Sequence, residues 1–230
     1  KLKDNKELQD FLYYALKDDY NVILSNNGEE ALHASKKYDV NIIVSDIMMP
    51  VMDGRVLCSE IKNNIATCHI PVILLTALTD KEFRIEGYEV GADAYIEKPF
   101  DLGVLKSRIE NLIYSRKVLK DKFLKFEGFE DHEQITNDID SEFMVRASEL
   151  IEQNIGNSEF TIDDFSSAMM VSRSLLYRKI KALTDLSPIE YITYSRLRFA
   201  MKMLNSCQYS VKEVAYKSGF SDPRYFSTIF

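Results

Sequence analysis

A carboxylate, a hydroxyl and an ammonium each stand at the end of a short apolar run. Asp46 closes Val40-Asn-Ile-Ile-Val-Ser45 and precedes Ile47-Met-Met-Pro50-Val-Met-Asp53-Gly54. Thr76 closes Pro71-Val-Ile-Leu-Leu, and Lys98 closes Ala92-Asp-Ala-Tyr95-Ile-Glu ahead of Pro99-Phe100. Such runs, punctuated by Pro and Gly, read as buried strands. If the strands are parallel, their carboxyl ends share one edge, where open α/β sheets place their ligands. Carboxylate, hydroxyl and ammonium brought together suit phosphoryl transfer to Asp46, with one nucleophilic oxygen and two donors for the equatorial oxygens. The competing reading makes Asp46 a helix cap, Thr76 a strand end, Lys98 a solvated loop charge and Tyr95 half-buried packing. It holds for Thr76, Lys98 or Tyr95 taken alone, less so for Asp46, and the ordered set argues against it.

The surrounding pattern supplies elements to hold these groups. A helix is expected from Lys6 to about Lys17, with Leu8, Phe11, Leu12, Ala15 and Leu16 on one face, and a strand over Val22–Ser25. Asn27-Gly28 turns into a helix over Glu29–Lys37. The Asp46 strand follows, then helix Val56–Asn63, strand Val72–Thr76, helix Lys81–Glu89, strand Ala94–Glu97 and a helix from Asp101. Alternating strands and helices predict a parallel sheet covered on both faces. Asp53, just before Gly54, is a turn residue and is given no chemistry.

The Asp46-x-x-Met49-Pro50-x-x-Asp53-Gly54 pattern, Thr76-Ala77 and Lys98-Pro99, in that order, resemble the receiver domain of two-component response regulators. The resemblance implies a flavodoxin-like, doubly wound fold of strand order 2-1-3-4-5, with Asp46 as phosphoacceptor. It implies that Thr76 and Lys98 bind the phosphoryl oxygens and that Tyr95 is the aromatic switch. It also implies Mg2+ held by Asp4, Asp46 and the Met48 carbonyl, and the Lys98–Pro99 bond is expected to be cis, aiming the ammonium inward. Here the chain departs from the family. Receivers open with a strand ending in two adjacent acids; this sequence opens Lys1-Leu2-Lys3-Asp4-Asn5, so that strand is largely missing and Lys3 stands where the first acid belongs. Loss of a central strand would expose apolar surface, so we expect the sequence to be cut from something longer.

Composition bounds the rest. The 230 residues leave room for two ordinary domains. No apolar run approaches the roughly 20 residues of a membrane span, and no signal peptide is visible. Cys58, Cys68 and Cys207 lack metal-ligand spacing and read as reduced structural thiols, pointing to the cytoplasm. The net charge of −7 is unevenly divided: residues 165–230 hold ten Lys/Arg against four Asp/Glu, while residues 1–139 hold 18 against 25. An acidic input half and a basic terminal region able to meet phosphates fit this split, as does a merely solvated surface.

Leu105, Ile109, Leu112, Arg116, Leu119, Phe123 and Phe126 repeat every 3.5 residues, the period of a coiled-coil seam. From Tyr114 onward, dimer seam and intrachain packing both fit. Gly128–Asp140 is polar and reads as a linker. The expected organisation is therefore residues 1–114, a connector and linker over 115–139, and an all-α domain over 140–230. In that last domain a helix over Asp140–Ile155 turns Phe143, Ala147, Leu150 and Ile151 inward and its acids outward. Thr161 opens a short helix in capping-box form, and Ser172 caps a second that runs to about Leu183. Leu176, Ile180 and Leu183 anchor the second; Arg173, Ser174, Tyr177, Arg178 and Lys181 lie opposite, where Arg and Lys can reach guanine edges or phosphates. Two short helices so joined form a helix-turn-helix. The unit repeats beyond a long helix from Ser187-Pro188 to about Asn205. Ser210–Lys217, the Gly219 turn and an Asp222-capped, Pro223-started helix make the second copy, the two spaced to enter major-groove faces about 34 Å apart.

Ser172–Lys181, Ser187–Tyr191, Arg196-Leu-Arg198 and Val214–Phe226 together resemble the AraC-type DNA-binding domain. The resemblance maps Arg173, Ser174, Tyr177, Arg178 and Lys181 to the first reading helix, and Pro223, Arg224 and Thr228 to the second. The family continues with a basic stretch and a closing helix that do not appear after Phe230, so weak DNA binding or none is expected of the sequence as it stands. The combined expectation is a non-enzymatic transcriptional regulator. A histidine kinase, separate or on the same longer chain as in hybrid sensors, phosphorylates Asp46 and thereby controls homodimerisation and promoter binding, with no membrane contact by this segment. Two rivals are a degenerate receiver acting only as a protein-interaction module, and a haloacid-dehalogenase-like phosphatase. The latter needs an acid where Met48 stands.

Overall fold

The three strand-like runs that carry Asp46, Thr76 and Lys98 pair as β1 (Ile43–Asp46), β2 (Val72–Ala77) and β3 (Ala94–Lys98), all parallel and in the order β1-β2-β3. The computed structural model describes residues 5–77, 90–125 and 138–230. It divides into two compact units, Lys1–Val118 and Leu119–Phe230. The sheet lies in the first. Side chains alternate across it with the two-residue period of extended backbone. Ile73, Leu75, Ala94 and Ile96 face a core completed by Leu8 and Leu16 of helix α1 (Asn5–Leu16) and by Leu105 and Ile109 of α4 (Leu102–Lys125). Val72 and Leu74 face the opposite core, with Leu57, Cys58 and Ile61 of α3 (Gly54–Asn63) and Ala31 and Leu32 of α2 (Gly28–Lys37). A parallel sheet covered on both faces is the doubly wound fold expected.

Two sequence-based expectations are corrected. Val22–Ser25 forms no strand, although Val22 packs against the first core and the Ser25 carbonyl accepts a 2.5 Å hydrogen bond from Gln9. In the order 2-1-3-4-5 this run pairs only with a strand ahead of α1, and the described residues contain none. On α1, Phe11 is exposed; Leu8, Leu12 and Leu16 make the inward face and Phe11 lies at its margin. The helix expected over Lys81–Glu89 lies outside the described residues, as do Phe126 and most of the expected linker.

The turn after β1 is fixed by close backbone approach. The Gly54 amide donates to the Ile47 carbonyl at 2.9 Å, and a Cβ at Gly54 would stand 2.2 Å from the Asp46 carbonyl oxygen. Asp53 caps α3, accepting from the amides of Arg55 and Val56 at 2.8 and 2.9 Å. At the opposite end of the strands, Asp93 accepts from the Val72 amide at 2.7 Å and pairs with Lys62 at 2.6 Å. The Lys98–Pro99 bond is cis, as expected.

The second unit is all helix among its described residues: the end of α4, then α5 (Asp138–Gln153), α6 (Ile162–Ala168), α7 (Arg173–Thr184), α8 (Pro188–Asn205), α9 (Val211–Lys217) and α10 (Pro223–Ile229). Helices as short as α6, α9 and α10 are marginal alone, and local chemistry compensates. Thr161, Ser187 and Ser210 close capping boxes with Asp164, Glu190 and Glu213, while Ser172 and Asp222 cap α7 and α10. Phe143, Ala147 and Ile151 of α5 are buried, as are Phe165, Leu176, Ile180 and Leu183 in the first helix pair. Val214, Ala215, Phe220 and Phe226 pack with Ala200 of α8 in the second. Gly219 turns with φ 80°, and a Cβ there would meet the Ile155 carbonyl at 2.3 Å. The intrachain reading of the connector holds at its end: Phe123 is buried, Arg198 donates to the Leu124 carbonyl at 2.9 Å and Lys120 pairs with Asp185 at 2.7 Å.

Gly54→Ala should destabilise the first unit by about 3 kcal/mol, since backbone must move to admit the methyl group. Urea denaturation should show the loss, and hydrogen exchange should locate it at Leu57 and Ile61. The capping-box carboxylates of Asp164, Glu190 and Glu213 are held below their ordinary range, in Asp164 first by the Thr161 hydroxyl and in the glutamates first by the Ser187 and Ser210 amides. A carboxylate depressed in the folded state stabilises above its unfolded pKa, and that stability is lost as pH falls through the lower folded value. The first turns of α6, α8 and α9 should therefore keep their amide protection below pH 4.5, the ordinary glutamate value, and fray only under stronger acid, as followed by NMR.

Candidate functional site

Register decides what meets at the sheet edge. Asp46 lies opposite Leu75, and Lys98 opposite Ala77, so the two reach toward each other across the end of β2. Lys98 Nζ donates to Asp46 Oδ2 at 2.6 Å, closing 52 residues of chain. The carboxylate side chain is 15% exposed and the lysine 27%, so the pair is sheltered yet reachable. Among the described residues, Oδ1 accepts a long 3.4 Å contact from the Met48 amide. Asp46 is thus no helix cap, a role Asp53 fills.

Thr76, half-buried, stands one residue beyond the position facing Asp46, on the strand between the two charged groups. Its hydroxyl contacts the Ala77 carbonyl at 3.4 Å. Tyr95 points away from the first core and packs half-buried against the second, beside α3. Met48 is largely exposed on the loop after β1. Asp4 lies outside the described residues. Among those described, no three His, Cys, Asp or Glu side chains gather as a metal site. Asp46 with the Met48 carbonyl is a hard, all-oxygen donor pair of the type magnesium takes, and it needs further ligands, water included, to complete six.

In the second unit the α7 residues expected on a reading face are solvent-exposed: Arg173, Ser174, Tyr177, Arg178 and Lys181. Three are engaged within the chain, Ser174 by a 3.1 Å hydrogen bond between its hydroxyl and that of Ser172. Arg173 pairs with Asp163 at 3.1 Å, and Lys181 donates to the Asp185 carbonyl at the end of α7. The Arg173 pair is exposed on both sides and so exchanges readily for another partner. Lys179 lies outside the expected reading face, and Asp140 departs from the outward acids of α5: both are buried and bonded to each other. On α10, Arg224 and Thr228 are exposed and Pro223 is half-buried at the first helical position. The Thr228 hydroxyl donates back to the Arg224 carbonyl at 3.0 Å. Tyr225 and Ser227 share the exposed surface of α10 and were missed. The inward pair Phe226 and Ile229, three apart, was the signal that would have found them.

Comparison with known proteins matches two separate stretches of the chain. Residues 3–110 match the model of the response regulator receiver domain, and residues 165–230 match that of a helix-turn-helix domain. The chain is 38% identical over 229 residues to a protein named histidine kinase P4 of Formosa agariphila, covering all of this chain and 17% of that protein. It is 43% identical over 121 residues to the probable transcriptional regulator ycf29 of Pyropia yezoensis, covering 53% of each. The chain thus spans about half the length of one relative and a small part of the other. Among solved structures, the receiver domain of a signal transduction histidine kinase from Syntrophus aciditrophicus is 30% identical, with a TM-score of 0.46 over 58% of this chain and 91% of that one. The chain consists of a response regulator receiver domain followed by an AraC-type helix-turn-helix domain.

Proposed function

We propose that this chain is a phosphorylation-controlled transcriptional regulator in which Asp46 accepts a phosphoryl group from a histidine kinase. The observation that carries the reading is the 2.6 Å contact of Lys98 with Asp46 across the parallel strand ends, with Thr76 on the strand between. In the transfer, the bond from phosphorus to the kinase histidine nitrogen breaks as a bond to an Asp46 carboxylate oxygen forms. The leaving imidazole keeps the electron pair. Lys98 neutralises charge on the equatorial oxygens and the Thr76 hydroxyl donates to one of them. Mg2+ fits Asp46 and the Met48 carbonyl, with Asp4 as the third protein ligand the family pattern implies, and when bound it offsets phosphoryl charge.

The phosphoryl group brings the site to roughly −2 charge. Rotation of Thr76 toward it would vacate space for Tyr95 to move inward, favouring a homodimer. Two copies on repeated half-sites gain by effective concentration. Reading of the promoter falls to Arg173, Ser174, Tyr177, Arg178 and Lys181 on α7 and to Pro223, Arg224 and Thr228 on α10, in the cytoplasm. The domain organisation that goes with this reading is a receiver over 1–114, a connector over 115–139 and the DNA-binding domain over 140–230. No helix among the described residues is long and apolar enough to cross a membrane.

One observation favours a variant in which the kinase resides on the same polypeptide. Essentially the whole chain aligns with a segment of a much longer protein named as a histidine kinase.

Asp46→Asn should abolish uptake of a phosphoryl group from acetyl phosphate, read by intact-mass spectrometry, while the wild type retains one acyl phosphate for minutes. Uptake by the variant would remove Asp46 from the scheme, and no uptake by the wild type with magnesium present would favour a receiver used only for protein contacts. Arg178→Ala should weaken binding to a fragment selected from random duplex by about 1–3 kcal/mol and relax specificity at one base position, measured by fluorescence anisotropy at fixed salt.

A further inference from the structure

Lys179 occupies a place that the reading helix otherwise reserves for apolar side chains. Leu176, Lys179, Ile180 and Leu183 fall at i, i+3, i+4 and i+7 and are all buried. Lys179 is fully buried, and its ammonium donates to the carboxylate of Asp140, itself 1% exposed. Asp140 lies in the first turn of α5. A lysine is almost never fully buried unless paired. Removing one partner of a buried pair leaves an uncompensated charge and is strongly destabilising, whereas an apolar pair of similar volume is often neutral or better. Such a pair is therefore poor value as cohesion, and its retention asks for another explanation.

Geometry supplies one. An apolar stripe tolerates small rotations of a helix about its axis, because one methyl contact replaces another. A buried ammonium does not, since turning it away from the carboxylate leaves both groups desolvated and poorly paired. We propose that Asp140 and Lys179 are positioning residues. Their ion pair fixes the rotation of α7, so that Arg173, Tyr177 and Arg178 face outward, and it ties that rotation to the first turn of α5. This rests on the DNA-binding reading for its consequence, but not for its geometry. The route matters for control: displacement of the chain entering α5 moves Asp140, and α7 must follow or lose its counter-charge.

The test uses the full chain carrying Asp140→Leu with Lys179→Met, which keeps volume and removes both charges. Hydroxyl-radical footprinting reads rotation without DNA. In the wild type, Tyr177 should be labelled and Leu176 and Ile180 protected; in the double variant, labelling should spread to Leu176 or Ile180 while helical circular dichroism is unchanged. In parallel, the affinity ratio between a duplex selected on the wild type and poly(dI-dC) should fall at least tenfold, with binding to poly(dI-dC) retained. A folded double variant with the wild-type labelling pattern and ratio overturns the proposal. Should the double variant not fold, Asp140→Asn, assayed at low temperature, must show the same spread of labelling, and an unchanged pattern there overturns it equally. If wild type selects no duplex at all, the DNA-binding reading fails, and the labelling arm still decides the rotation claim.

Discussion

Parallel pairing is the constraint on which the first unit depends. β1, β2 and β3 can bring Asp46 and Lys98 within 2.6 Å only because they run the same way and hold one register, Asp46 facing Leu75 and Lys98 facing Ala77. A slip by one residue would turn each strand's side chains to the opposite face, exchanging the cores built on Ile73 and Leu75 with those on Val72 and Leu74. The two hydrophobic layers therefore enforce the register, and the register sets the charge contact. Gly54 completes the arrangement by letting the α3 turn approach the Asp46 carbonyl, where any side chain would collide.

The second unit rests on local rules more than on long-range pairing. Seven-residue helices persist because each begins on a residue whose side chain satisfies its free amides, and because Phe165 and Phe226 anchor the two helix pairs. Capping fixes where each helix starts, and the start fixes which side chains reach the surface. On α10, Asp222 and Pro223 at the start put Phe226 inward and leave Arg224, Tyr225, Ser227 and Thr228 outward.

These differences explain what could be read in advance. Caps at Thr161, Ser172, Ser187, Ser210 and Asp222 depend on neighbours within three residues, so they were legible. The approach of Lys98 to Asp46 followed from the order of strand ends. Val22–Ser25 was not legible as irregular chain, because its apolar, β-branched composition is that of a strand; only the ladder partner decides, and partners are non-local. Asp140 falls among acids expected to face outward because helical periodicity treats charge as outward, and for Lys179 nothing within either helix reveals a counter-charge 39 residues away.

The Asp46–Lys98 and Asp140–Lys179 ion pairs differ in the property that matters for switching. Asp46 and Lys98 keep 15% and 27% of their side-chain surface open, so either can accept a new neighbour without unfolding its surroundings. Asp140 and Lys179 are closed to solvent and can change only if their helices move. In the proposed reading, added negative charge at Asp46 deepens an attraction already in place, which costs little reorganisation. Its effect must then leave the site through packing, since interactions between exposed charges are screened beyond about 8 Å at physiological salt. A signal arriving at the second unit as a displacement of chain, rather than as a field, needs a rigid charge pair to receive it. The closed pair between α5 and α7 has that character, whereas an apolar contact in its place would absorb the same displacement by sliding.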